Sequence, residues 1–502
     1  MMLLLGTAFL GLLIWYFLLK PMQYWKRLGV VQTNPIPLFG DSWRILFRTM
    51  NTKDFVEFIY NLYPTERVVG FYNFTMPTLL LRDPELIKQI GIKDFEHFAD
   101  HPPLIDPEAD PLWSKNLLSL SGAKWREMRR LLSPTFTSSK IKAIYVTMEE
   151  AARNFATYFK ERKDEGIIEL EVKDIFTRFT NDIIATTAFG VQVDSVREPN
   201  NTFYLMGKKM TDFSGFLNIF RFLIGQILPK FAKACGFRVI NAKSAEFFSE
   251  VIDESVKQRE NNQIKRHDMI DLLLEARKKQ ESIDGNPITN LDITSQACIF
   301  FFGGFETVAN VMTFGAYELA TNRDVQDKLR EEIKTNVSND GKVSYETLQE
   351  MKYMDMVISE ILRKWPPFPV TDRICTKPYT IKALDKNSKD IPILLHQEVQ
   401  IPACAIQNDP KYFPNPQKFD PERFSEKNAK NIVPYSYLPF GIGPRICIGN
   451  RLSLTEVKLM FFYLLLNCEI VTIQKTMTPP ILTKDIFASI EGGAWLGIKY
   501  LK

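Results

Sequence analysis

Cys447 sits in the run Phe440-Gly441-Ile442-Gly443-Pro444-Arg445-Ile446-Cys447-Ile448-Gly449, just ahead of a helical-looking stretch from Asn450 to Leu466. No other segment limits the possible folds so strongly. Glycines let backbone approach a large planar ligand closely, because no Cβ stands in the way. The first turn of the following helix offers unpaired N–H groups to the sulfur, which favours thiolate over thiol. A thiolate held by amides, with Arg445 two residues before it, is suited to be the axial ligand of a heme iron. The competing reading is a buried structural cysteine beside a turn.

Phe440, Gly443, Arg445, Cys447 and Gly449 fill every fixed position of the heme-binding signature Phe-x-x-Gly-x-Arg-x-Cys-x-Gly. On this run the chain resembles the cytochrome P-450 family of heme-thiolate monooxygenases. The resemblance implies heme b as cofactor and Cys447 as its metal ligand, with Phe440, Gly441, Arg445 and Gly449 around it. It also implies the family fold, mainly α with smaller β portions. The expected layout is an N-terminal membrane anchor (1–20), a proline-containing hinge (21–40) and one large catalytic domain (41–502).

The first nineteen residues carry no charged side chain, and Lys20, Lys26 and Arg27 follow. As a helix, such a stretch extends about 28 Å, close to the thickness of a bilayer's hydrocarbon layer. The basic residues after it place the rest of the chain on the cytoplasmic side. A charged n-region and a small-residue cleavage site are not evident, which argues against a removed signal peptide. Together with the resemblance this predicts a single-pass protein of the endoplasmic reticulum membrane. Six widely spaced cysteines without a C-x-x-C pair, on a cytosol-facing domain, predict free thiols. The histidines at 97, 101, 267 and 396 show no metal-ligand spacing.

Arg67 to Arg82 reads as a hairpin turning at Tyr72-Asn73, and Asp83-Pro84 as a helix start. From Tyr145 to about Ile333 the pattern is mostly helical, with a break near Gly236. The charged segment 257–285 reads as a solvated surface connection. Phe216 to Phe237 (FLNIFRFLIGQILPKFAKACGF) reads either as a core helix pair or as a surface that dips into a membrane. The resemblance favours the second.

A long apolar helix from about Leu291 to Thr321 carries Gly303-Gly304 in its middle, at about 1 kcal/mol each relative to alanine. A flat ligand or bound dioxygen pressing on the helix would account for both. Gly303-Gly304-Phe305-Glu306-Thr307 is similar to the family's oxygen-activating motif, which implies Thr307 and Glu306 as the catalytic residues that deliver protons. Val308 departs from the Thr or Ser of many members. Glu360-x-x-Arg363, then Pro421-Glu422-Arg423-Phe424, follow the family order and imply a buried ion network of Glu360, Arg363 and Arg423. Trp125-x-x-x-Arg129 matches a propionate-binding pair, with Arg373 and Arg445 as further propionate partners.

Residues 124–142 carry a net charge of +5, against +4 for the whole chain. A basic run is often only a solvated face, but here it adjoins the propionate-binding helix, where an acidic redox partner would be steered. The patch is short and the remaining chain nearly neutral, so no nucleic-acid partner is expected. The segments at 103–121, 301–302, 368–371 and 487–490 match the family's substrate-contact positions. They are mostly apolar, which suits a lipophilic small molecule.

The resulting expectation is a monooxygenase that inserts one atom of dioxygen into lipophilic compounds. NADPH-derived electrons would come from NADPH–cytochrome P-450 reductase, with cytochrome b5 as a second donor. The stretch from Trp365 through Thr380 is similar to insect microsomal xenobiotic-metabolising members. Two rivals stand beside this expectation: a heme-thiolate isomerase or dehydratase, and a non-catalytic heme sensor.

Overall fold

The computed structural model describes residues 16 and 19–501, apart from 104, 106, 214, 263–265, 267, 280, 281, 284, 385–388 and 486. The expected anchor therefore lies almost wholly outside the described residues. Among these, one helix is long and apolar enough to cross a membrane, Asn290–Thr321, and it is mostly buried inside the protein.

Helices form most of the body. Those that build the site are α1 (Gly122–Leu132), α2 (Ser138–Glu161), α3 (Val172–Ile184), α4 (Phe216–Ile227), α5 (Asn290–Thr321), α6 (Lys352–Lys364) and α7 (Asn450–Asn467). A four-stranded sheet runs in the order β1 (Val68–Asn73), β2 (Met76–Leu81), then Glu398–Ile401 and Thr371–Ile374. β1 and β2 are antiparallel with Asn73 opposite Met76, so the hairpin turns at Phe74-Thr75, two residues beyond Tyr72-Asn73. Phe74 takes a positive φ there. A second sheet joins Cys468–Val471, Trp495–Tyr500 and Ile167–Glu171.

α5 is the axis. Thr289 and Asp292 form a reciprocal capping box at its start. Its second half joins a core with α2, α3, α6 and α7. Its first half joins another core with α1 and residues 203–210, 240–256 and 269–276. Thr180 of α3 donates its hydroxyl to the Phe305 carbonyl at 3.0 Å, tying the two helices at the middle of α5.

Beyond the hairpin turn, one expectation changes and one of two open readings closes. Residues 257–285 are not simply a surface connection, because they contain a helix, Met269–Lys278, with Met269, Ile270, Leu273 and Leu274 buried. Arg259 is also buried, paired with Asp268 at 2.5 Å and Asp271 at 2.8 Å. Arg259, Asp268 and Asp271 neutralise one another in the interior, while Lys257, Glu260, Glu275 and Lys278 stay exposed. Phe216–Phe237 is not a core helix pair. Leu217, Phe220, Leu228 and Phe231 are exposed, and α4 packs on the short helix Trp43–Leu46. Residues of the expected hinge lie on the first sheet: Trp25 is fully buried, and a Cβ on Gly70 would meet its ring at 2.4 Å. All six cysteines are free thiols.

Candidate active site

The cysteine loop takes its shape from its glycines. Gly441 and Gly443 have φ of +78° and +70°, a left-handed conformation that side chains resist. At Gly443 a Cβ would also lie 1.9 Å from the Gly91 carbonyl oxygen. The Cys447 N–H donates to the Phe440 carbonyl at 3.0 Å, closing the loop before α7 begins. Burial pushes the Cys447 thiol up, while the Gly449 N–H and the Arg129 guanidinium pull it down. The net direction is upward, so the amides do not by themselves produce the expected thiolate. A bound metal ion deprotonates a coordinating thiol outright.

Cys447 is nevertheless accessible. So is Gly303, although it sits in α5 between the buried Phe302 and Phe305. A Cβ on Gly303 would meet nothing within 4 Å, whereas one on Gly304 would meet Ile184 of α3 at 2.7 Å. The paired glycines therefore have different reasons: Gly304 admits a neighbouring helix and Gly303 opens onto free space. Ile448, next to the cysteine, packs in the same core cluster as Phe301, Phe302, Phe305 and Trp125.

Along the cysteine loop lie Arg129, Arg373 and Arg445. Arg445 donates to the Ala99 and Leu120 carbonyls and pairs with Asp100 at 2.9 Å. Its guanidinium carbon stands 4.0 Å over the centre of the Trp125 ring. Arg373 donates to the Ile442 carbonyl at 3.2 Å, and its buried Nε has no acceptor. Arg129 donates to the Ile446 carbonyl at 2.9 Å. Burial pushes Arg445 down to about 9, opposed by Asp100 and reinforced by Arg373 and Arg129. Burial likewise lowers Arg373 to about 10, opposed by Asp372. Two carboxylates placed here would relieve that repulsion and satisfy the Arg373 Nε. A thiol, an accessible glycine and a cluster of arginines, one with a buried Nε lacking an acceptor, fit a planar dicarboxylate cofactor whose metal takes the thiol as axial ligand.

Above Gly303, Glu306 pairs with Lys173 of α3 at 2.5 Å, and both side chains are largely buried. A side-chain partner of this acid is thus a lysine on a neighbouring helix. The Thr307 hydroxyl donates to the Gly303 carbonyl one turn back, which leaves its lone pairs as acceptors. Val308 points into the core with α2, α3 and α6, away from the accessible stripe. The ion network holds as expected: Arg363 Nε lies 2.7 Å from Glu360, and Arg423 Nε 3.4 Å from it. Arg363 also donates to the Gln407 and Pro416 carbonyls, and Arg423 to that of Asn415.

Sequence reading missed Lys173, Asp100 and the pair His101 Nδ1 to Asp372 at 2.7 Å. No local signal announces Lys173, which lies 133 residues from its partner. Asp100 could have been suspected as the acid just before a His-Pro-Pro segment at the loop entrance.

The cytochrome P-450 family profile matches residues 32–496. Cytochrome P-450 9e2 of Blattella germanica is 39% identical over 95% of this chain and 94% of that protein. Probable cytochrome P-450 9f2 of Drosophila melanogaster is 37% identical over 94% of each. Probable cytochrome P-450 6g2 of the same fly is 35% identical over 98% of this chain and 96% of that protein. With the cysteine loop, the arginine cradle and the opened helix all in one chain, these likenesses establish that the protein belongs to the cytochrome P-450 family of heme-thiolate monooxygenases.

Proposed function

We propose that this chain oxidises lipophilic small molecules, inserting one oxygen atom from dioxygen, with NADPH-derived electrons supplied by a reductase and by cytochrome b5. The observation that carries this reading is the acid–hydroxyl pair Glu306-Thr307 beside the accessible Gly303, in the middle of a mostly buried helix. When bound, heme b supplies dioxygen binding and the electron donation that assists O–O cleavage. Cys447 would hold its iron, while Trp125, Arg129, Arg373 and Arg445 would hold its propionates, with Phe440, Gly441 and Gly449 shaping the loop. Thr307 would orient a hydrogen bond on the oxygen side. Glu306 would pass protons inward, with Lys173 holding its side chain in place. Phe301, Phe302, Phe368 and Phe487 would exclude water and hold an apolar substrate.

An isomerase or dehydratase has no use for such a proton-handling pair, and a sensor has none for an electron-partner patch. The exposed apolar residues of 216–237, beside Arg221, Lys230 and Lys233, suit contact with the endoplasmic reticulum membrane and work with the 1–20 anchor. Relatives among insect enzymes support xenobiotics as substrates, with endogenous lipids or hormones as the other class. The test is turnover of a lipophilic substrate panel under ¹⁸O₂. Product carrying one ¹⁸O, formed only with NADPH and reductase present, is expected. Product formed without either, or without ¹⁸O, overturns the reading.

A further inference from the structure

Gly303, Thr307, Asn310 and Phe314 are spaced by four, three and four residues, which sets them on one face of α5. Asn310 is 7% exposed, and its carboxamide oxygen has no donor. It lines a cavity of about 40 Å³ whose wall includes Phe314, Trp365, Pro366, Pro369, Leu482 and Phe487. The groups best placed to donate are engaged or absent. Proline has no N–H. Trp365 donates its indole N–H to Glu318 at 2.7 Å, and its ring stacks on Phe314 at 4.5 Å. Lys53, also on the wall, holds its ammonium 2.8 Å from Glu57. A buried amide acceptor without a donor is a standing loss of stability. An apolar residue of similar size would avoid it.

We propose that Asn310 is a specificity-determining residue. Its carboxamide oxygen accepts a hydrogen bond from a hydroxyl or N–H at one end of a lipophilic substrate, whose apolar body lies along the Phe314–Phe487 wall. This rests on the monooxygenase reading and adds to it the chemical class of substrate: apolar compounds with a terminal donor. The cavity holds roughly a hydroxyl with its carbon, or about two waters, so only the tip of a substrate enters. A site that must hydrogen-bond its substrate discriminates strongly against analogues lacking the donor.

The test uses the heme-loaded full chain and 1-alkylimidazoles, whose nitrogen ligates the heme iron and shifts its Soret band. A series with two to ten chain carbons is compared with the same series bearing a terminal hydroxyl. At one chain length the hydroxyl is expected to tighten binding about tenfold. Asn310→Leu and Asn310→Val, each checked by the carbon monoxide difference spectrum, should both lose that advantage, with the plain alkyl series bound at least as tightly as before. No advantage at any length in the unmodified protein would mean that water keeps the site, and would overturn the proposal. Persistence of the advantage in both variants would overturn it equally. Absence of a Soret response to every imidazole would instead refute heme-thiolate chemistry, and the proposal with it.

Discussion

Gly303 and Gly304 are neighbours with opposite surroundings, one facing open space and the other the Ile184 side chain. Alanine at 303 removes a helix-interior glycine without a clash, so Gly303→Ala should raise the unfolding free energy by about 1 kcal/mol. The added methyl narrows the oxygen side, so product formation should fall while heme content is unchanged. Denaturant melts and turnover on the same preparation check both directions. The cysteine signature, the glycine pair and the Glu306-Thr307 dipeptide were legible because each is local and tightly spaced. Lys173 and Ile184 were not, because the packing of α3 on α5 brings them in, and nothing near either residue encodes that contact.

Among the elements, α6 and the cysteine loop depend on one carboxylate. Glu360 receives Arg363, Arg423 and the Asp420 N–H within a site closed to solvent. Glu360→Ala strands two guanidiniums and should cost about 3–5 kcal/mol. Protein lacking the Soret band is the expected result, and a heme-replete variant would contradict it.

α3 carries a different acid. Asp182 accepts the Ser195 N–H at 2.9 and 3.1 Å and so holds the segment after Gly190. Burial, opposed by the Ser195 and Asn181 bonds, raises its pKa from 3.8 to about 7. The folded chain therefore binds this proton more tightly than the unfolded one, and stability falls as pH rises from about 4 to 7, then levels. Asp182→Asn keeps an acceptor and removes the titration. Its urea midpoint should stay flat across that range, and its unfolding free energy at pH 8 should exceed that of the unmodified protein by at most about 4 kcal/mol. The helix Met269–Lys278 escaped the sequence for a related reason: its ionic neighbours neutralise one another in the interior, so charge density overstated exposure.

For the whole molecule, the 124–142 patch is less positive than its sequence. Arg129 turns inward, Arg126 pairs with Glu96 at 2.8 Å, and Lys142 pairs with Glu346. The charge that would steer a redox partner therefore depends on residues shared between several elements. Reversing Arg126 and Arg130 to Glu should slow reductase-driven turnover about tenfold, and more at low salt, while peroxide-driven turnover stays unchanged. Equal loss by both routes would remove this face as the docking site. The family and the positions of its motifs could be read along the chain. Which of them meet, and which charges survive the meeting, could not.

Arg445 bonds at once to Ala99, Asp100 and Leu120, so the segment entering α1 is fastened to a residue of the cofactor cradle. In a freshly synthesised chain that cradle is a knot of like charges with Asp100 as its direct counterion. Capture of a dicarboxylate cofactor would then supply the counter-charge that this cluster lacks.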